Sequence, residues 1–359
     1  MGSRVAVAMS GGVDSSLAAA LLKERYEVIG ITMQLWRAQR AERAEEGVGI
    51  AKEVCQSLGI PFHVFDLATQ FQAHVVDYFC EEYHRGRTPN PCVICNRKIK
   101  FGLLLKEALK LGAAYLATGH YARIDASPEN PESYRLLKAI DQSKDQSYFL
   151  YGLGQEALKR LLFPLGEYRK DEVRRMAVKR RLPTSDKEES QEVCFIPNGN
   201  YRSFLTQHLP TTPGEIIDLN GRVVGRHQGI ARYTIGQRQG LGIASGERLY
   251  VIRIDGQANT LVVGPEEELW SDTLLASGVS FVSGEAPQED IEVSAKIRSQ
   301  SPEAKGVLSP RGEFFEFRFY EPQRAIAPGQ TVVFYRVEEV LGGGVIESAN
   351  RDSPTADLY

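Results

Sequence analysis

The chain has 359 residues, 42% hydrophobic and 25% charged, with a formal net charge of −3. That length exceeds one ordinary core and implies two or three domains of a water-soluble globular protein. Five cysteines in so long a chain exclude a disulfide-dense secreted scaffold, and no apolar run approaches membrane-spanning length.

A reducing cytosol is the expected compartment. Met1-Gly2-Ser3-Arg4 passes straight into a strand, which reads as leaving no room for a signal or transit peptide. The net charge argues against nucleic acid, but its distribution does not. Residues 1–197 hold 28 basic and 25 acidic side chains, residues 198–265 hold 7 and 4, and residues 266–359 hold 8 and 17. Between Tyr83 and Glu107 there is no acid, whereas Arg85, Arg87, Arg97, Lys98, Lys100 and Lys106 are basic. A second acid-free tract, between Asp218 and Glu247, carries Arg222, Arg226, Arg232 and Arg238. Such tracts suit phosphate-backbone contact or form an ordinary solvated face; charge alone does not decide.

The first element is a short apolar strand over 5–8. Met9-Ser10-Gly11-Gly12-Val13-Asp14-Ser15-Ser16 follows it, and a helix is predicted from 17. Strand, glycine turn and helix N-terminus bind an anion, because free N–H groups and the helix dipole converge there. Two glycines admit phosphate oxygens, the serines add hydroxyl donors, and Asp14 suits a magnesium ion or a ribose or phosphate partner held through one. Neither G-x-x-x-x-G-K-[ST] nor G-x-G-x-x-G is present. The bland alternative is an ordinary helix cap with two turn glycines.

A strand is predicted over 27–36, a helix over 47–58 ended by Gly59 and Pro61, a strand over 61–67 and a helix over 70–83. A loop around 89–96 precedes a helix over 100–111 and a strand over 113–118. This β-α rhythm predicts an α/β fold with a doubly wound parallel sheet and ligands at the carboxyl ends of its strands. That edge gathers the Ser10 loop, Met33, Gly119, His120 and the 89–96 loop. Cys55 and Cys80 read as core.

Beyond Tyr121, a strand over 134–140, a capped turn at Asp145 and Ser147, helices over 155–162 and 170–180, and a polar loop over 184–192 are predicted. From about Pro213 the period falls towards two. Asn220-Gly221 and Asp255-Gly256 mark hairpins, Phe315, Phe317 and Phe319 share a strand face, and Gly342-Gly343-Gly344 is read as a break. The domains expected are 1–197, 198–265 (small and mainly β) and 266–359 (a β-barrel).

Cys92-Val93-Ile94-Cys95 follows Pro89 and Pro91, which project the pair into the strand-end crevice. A redox pair, half a metal site, and a nucleophile with a bystander all fit a lone C-x-x-C. No second C-x-x-C or close Cys/His pair completes a zinc site. Arg97, Lys98 and the following helix are expected to lower the thiol pKa. Cys194, in Val193-Cys194-Phe195-Ile196, is the one later cysteine. His120, after a strand at the ligand edge, reads as a site residue; His227 reads equally as loop-structural.

Ser10-Gly11-Gly12-Val13-Asp14-Ser15-Ser16 resembles the pyrophosphate loop of enzymes that cleave ATP between the α and β phosphates and adenylate an acceptor. Further motifs run from Thr88 to Phe101, Ala117 to Arg123, Lys144 to Leu150, Ser190 to Ile196, Gly225 to Gly242 and Arg324 to Gln330. With the loop, they make the chain similar to the bacterial tRNA-specific 2-thiouridylases over nearly its whole length.

The resemblance implies that ATP adenylates the C2 oxygen of the wobble uridine in tRNAs for Lys, Glu and Gln, and that persulfide sulfur then displaces AMP. It implies Cys95 as nucleophile and Cys194 as persulfide carrier, the two ending as a disulfide. Ala8, Met9, Ser10, Gly11, Gly12, Val13, Asp14, Ser15, Met33 and Gly119 would line the ATP site, with Mg2+ as companion. Asn90, Pro91 and Cys92 would flank the base, and His120, Lys144, Asp145, Gln146 and Gln330 would contact tRNA; it also favours tRNA for Arg232 and Arg238. A persulfide donor, either a cysteine desulfurase or a sulfur-relay protein, is the implied partner of a cytoplasmic monomer.

Two departures stand out. Many relatives carry Asp where Cys92 stands, so Cys92, Cys95 and Cys194 could instead ligate a [4Fe–4S] cluster. Residues 37–46 are short and charged where relatives often carry a longer cysteine-bearing insert, which puts relay docking there in question. Two rival readings remain: another adenylating synthetase, and an RNA-binding protein with a vestigial ATP loop.

Overall fold

Val5, Ala6 and Val7 are fully buried, and their side chains alternate between two apolar cores on opposite faces of one sheet. The computed structural model describes residues 2–36, 41–187, 193–196, 199–244 and 246–349. Its first sheet has five parallel strands in the order β3-β2-β1-β4-β7. They are β1 (Arg4–Ala8), β2 (Glu27–Gln34), β3 (Phe62–Asp66), β4 (Tyr115–Ala117) and β7 (Leu161–Leu162). Helices α1 (Val13–Lys23) and α2 (Ala41–Leu58) belong to the crossovers, as the alternating pattern predicts.

The antiparallel pair β5 (Ala122–Ala126) and β6 (Tyr134–Lys138) leaves this sheet and joins the last one. The predicted helix over 155–162 stops at Leu158, and Leu161–Leu162 pairs with β4 instead. Two apolar leucines are worth more at the sheet edge than in another helical turn. The loop predicted over 184–192 falls largely on 188–192, outside the described residues, as do 37–40 of the 37–46 segment.

The second sheet has the order β10-β11-β8-β9, from β8 (Gly214–Ile217), β9 (Val223–His227), β10 (Tyr250–Asp255) and β11 (Thr260–Gly264). Asn220-Gly221 turns the β8–β9 hairpin, with Gly221 at φ +78° as that turn chemistry requires.

The third sheet closes. Strands β12 (Trp270–Phe281), β15 (Phe314–Arg324), β14 (Ala304–Arg311), β13 (Ile291–Lys296), β16 (Thr331–Arg336) and β17 (Glu339–Ala349) follow in order, and β17 pairs back to β12. Phe315, Phe317 and Phe319 point inward. Gly342-Gly343-Gly344 is no break but part of β17. A Cβ there would collide with the carbonyls of Ser280, Val332 and Ser277, so the glycines let the seam strands close. β6 adds to the far end of β17 at Glu339 and Val340, which ties the barrel to the parallel-sheet unit. Among the described residues no helix is long and apolar enough to cross a membrane.

Candidate active site

The glycine loop is held from several sides. Gly11 has φ +71°, and a Cβ there would lie 2.7 Å from the carbonyl of Gly47 on α2. Gly12 is extended and opens α1 without a side-chain cap, which leaves first-turn N–H groups for a ligand. Ser15 Oγ accepts from Ser10 N–H at 3.2 Å and donates to Gly12 O at 3.1 Å, and Ser16 Oγ donates to the same carbonyl at 2.9 Å. Both hydroxyls therefore shape the loop from inside, and Ser10 is the exposed one. Met9 and Val13 are buried and offer only backbone to the ligand edge. Ala8 and Met33 are half-buried at the carboxyl ends of β1 and β2. Gly119, past β4, packs so closely that a Cβ would meet Asp14 and Ser15 at 2.9 Å.

Asp14 is not a bare carboxylate. Lys170 Nζ lies 2.7 and 2.8 Å from its two oxygens, and Tyr121 Oη donates to Oδ1 at 2.9 Å. Lys170 is buried at the start of the 170–179 helix, with its ammonium 5.5 Å from the Tyr121 ring centre. Lys187 adds a bond to Gly11 O at 3.1 Å. These two lysines escaped the sequence reading, which saw only a basic helix and a polar loop. The one available signal was the absence of a lysine within the loop itself.

The cysteine stretch is helical rather than looped. Pro91 opens a helix over Pro91–Ile94, a position that suits its fixed φ and missing N–H. The helix continues as a π-helix over Cys95–Leu104 and ends at Lys110. Pro89 and Asn90 are the extended approach. Cys95, Ile99, Phe195 and Ile196 share one core. Phe195 anchors its neighbour Cys194 through edge contacts to Phe71, Phe79 and Phe204 at 5.3–5.7 Å.

The expected low thiol pKa is overturned. Burial raises Cys92 and Cys95, with only Lys100 opposing it. Cys194 has accessible surface but lies walled in by protein; desolvation, then Cys95 and Cys92, push it up to about 12. Arg97 and Lys98 point into solvent, so they do not act as expected. The mutual influence of Cys92, Cys95 and Cys194 places all three sulfurs in one electrostatic neighbourhood.

Residues 3–198 match the tRNA methyl transferase HUP domain, 202–265 the tRNA methyl transferase PRC-barrel domain, and 271–346 the aminomethyltransferase β-barrel domain. A tRNA-specific 2-thiouridylase of Carboxydothermus hydrogenoformans is 49% identical, covering 96% of this chain and 97% of its own. One from Caldanaerobacter subterraneus subsp. tengcongensis is 48% identical, covering 97% and 99%. Another from Roseiflexus castenholzii is also 48% identical, covering 96% and 99%. The chain belongs to the tRNA-specific 2-thiouridylase family.

Other residues expected of a 2-thiouridylase divide between the site and the scaffold. His120 Nδ1 lies 2.6 Å from Thr118 Oγ1, and its ring packs on Phe101 and Phe163. Burial, then the charge of Lys100, holds it well below the usual histidine range, so the imidazole is neutral. Gln146 exchanges bonds with the Tyr121 backbone, which links it to the Asp14 pair. Asp145 turns inward to Ala139 N–H and the Ser147 hydroxyl, while Lys144 is half-buried beside it.

Gln330 sits on the barrel next to Gly329, which faces Arg87 and Thr88. Arg238, exposed, lines an open depression of about 620 Å³ with Arg202, Gln237 and Gln239. Arg232 is exposed beside a separate, smaller cavity. His227 is structural: Nδ1 accepts from Gly229 N–H at 3.0 Å, so Nε2 donates to Asn259 O at 2.9 Å.

Proposed function

We propose that this protein uses ATP to exchange the C2 oxygen of a tRNA wobble uridine for sulfur, yielding 2-thiouridine in tRNAs for Lys, Glu and Gln. The observation that carries the reading is that Cys92 and Cys95 share one helix, that Phe195 beside Cys194 packs in the same core as Cys95, and that the helix leads through Phe101 and His120 towards the nucleotide loop.

The loop N–H groups and Ser10 hold the phosphates of ATP, and Lys170 supplies the cation that a Walker lysine would otherwise provide. Asp14, the carboxylate nearest the loop, is the residue that would hold Mg2+, which would supply further counter-charge to those phosphates. The uridine C2 oxygen attacks the α-phosphorus and pyrophosphate leaves. The terminal sulfur of a Cys194 persulfide, supplied by a sulfur-donor protein, then attacks C2 and AMP departs with its oxygen. The Cys95 thiolate attacks the Cys194 sulfur, and the S–S bond to the base breaks with the electron pair moving to the thiocarbonyl. Both cysteines are oxidised to a disulfide, which a cellular dithiol reduces.

A [4Fe–4S] cluster takes each thiolate on a different iron, so Cys92, Cys95 and Cys194 would be the residues to hold one and would leave one iron open to sulfide. Among the described residues no three Cys, His, Asp or Glu side chains group around a single metal ion, and no step is routed through a cluster.

Mass analysis of unmodified tRNA after incubation with enzyme, ATP, Mg2+ and a persulfide donor tests the reading. A sulfur-for-oxygen gain that requires ATP and is abolished by Cys194→Ser is expected. Pyrophosphate release without dependence on tRNA would instead favour a small-molecule synthetase.

A further inference from the structure

We propose that Lys100 is the counter-charge of the sulfur-transfer step, holding the attacking sulfur as an anion and following its charge as AMP departs. The inference rests on the sulfur-transfer reading above and deepens it.

The first observation is helical register. In an α-helix, at about 100° per residue, Lys100 would point about 140° away from Cys95. Residues 95–104 instead form a π-helix, in which Leu105 N–H reaches back five residues to Lys100 O. In a π-helix residues five apart lie only about 50° apart around the axis, which swings Lys100 round to the side of the helix that carries Cys95. Such π segments recur at functional sites because they re-aim a side chain at some cost in packing. Gly102 marks the altered register: a Cβ there would lie 3.0 Å from the Arg97 carbonyl, five residues back.

The second observation is selective burial. Arg97 and Lys98 are exposed on the same helix, whereas Lys100 is half-buried between buried Ile99 and Phe101. Phe101 in turn packs on His120 with ring centres 5.6 Å apart. Among the described residues no carboxylate pairs with Lys100, unlike Lys110, Lys138 and Lys170.

Its charge acts on Cys92, Cys95, Cys194 and His120 together. Lys100 and Cys92 act on Cys95, and Cys95, Cys92 and Lys100 act on Cys194. Lys100 is thus a half-buried cation whose charge reaches Cys92, Cys95 and Cys194 alike. The electron pair passes from persulfide sulfur to C2 and leaves on AMP, so a fixed positive charge beside that path lowers the barrier without moving a proton.

Single-turnover assays on the full-length enzyme, loaded with persulfide and given tRNA and ATP, separate pyrophosphate release from thiouridine formation. Lys100→Met should slow sulfur transfer about a hundredfold, far more than pyrophosphate release, and Lys100→Arg should recover most of it. Alkylation of Cys95 in the persulfide-free enzyme should slow in Lys100→Met, with its pH midpoint moved upward, and return in Lys100→Arg. Equal loss in both half-reactions, no recovery by arginine, or an unchanged alkylation profile would each overturn the assignment. Cys95→Ser and Cys194→Ser run alongside: if they abolish thiolation while Lys100→Met does not, only the role of Lys100 fails. If they leave thiolation intact, the sulfur-transfer reading itself fails.

Discussion

Lys170 and Asp14, 156 positions apart in sequence, form a part-buried ion pair with both carboxylate oxygens within 2.8 Å of the ammonium. It joins the helix after the nucleotide loop to the 170–179 helix. Lys170→Met would leave Asp14 charged beside Tyr121 alone. A loss of about 3 kcal/mol is expected, at the low end for a broken buried pair because Asp14 keeps some solvent contact. Denaturant unfolding measures that loss. ATP binding by titration calorimetry should weaken as well.

The thiols set a pH dependence opposite to that expected from the basic sequence around them. With Cys194 raised to about 12 by burial and the neighbouring cysteines, the free thiol stays protonated through the neutral range. Its alkylation rate should therefore keep rising with pH well above the ordinary cysteine range. Persulfide is more acidic than thiol, so the persulfide-loaded enzyme should react already near neutrality. Mass-resolved alkylation across pH reads both forms.

Arg87 ties the approach to Cys92 into the barrel. It donates to Glu82 at 2.8 Å and to Glu347 at 2.5 Å, and Thr88 N–H donates to Pro328 O at 2.8 Å. Burial acts to raise the Glu347 carboxyl, but its bonds from Arg87 and Ser277 outweigh that and hold it below the usual value. A depressed folded pKa gives stability that is present above the unfolded value and lost as pH falls through the folded one. Glu347→Gln should cost about 2 kcal/mol near neutrality, between surface and buried pairs, and less in acid. Thermal melts at pH 7 and pH 4 check the sign.

Arg238, beside Arg202 on an open depression, is placed for the phosphate backbone. Arg238→Ala should weaken tRNA binding and reduce the slope of log affinity against log salt by about one. Filter binding across a salt series measures it; an unchanged slope removes Arg238 from the interface.

The parallel sheet and its ligand edge were legible because Val5–Val7 and the glycine loop obey local rules of pattern and turn chemistry. The Phe315–Phe319 alternation likewise predicted a barrel strand. What escaped depends on distant partners. Gly342–Gly344 reads as a break until the facing strands are known. The Cys92–Cys95 stretch reads as a loop because two prolines precede it, yet the second serves as the first residue of a helix. Local charge at Arg97 and Lys98 suggested activated thiols, but those side chains face water and burial prevails. Lys170 and Lys187 reach the nucleotide loop from more than 150 residues away, beyond any spacing rule.

The division of labour between Cys194 and Cys95 is tested most directly by trapping. If Cys194 carries the sulfur and Cys95 resolves the intermediate, Cys95→Ser enzyme given persulfide donor, ATP and tRNA should accumulate a covalent enzyme–tRNA adduct. An added thiol should release it as 2-thiouridine tRNA, and Cys194→Ser should form neither adduct nor product. Thiouridine formed at the wild-type yield by Cys194→Ser would contradict the account.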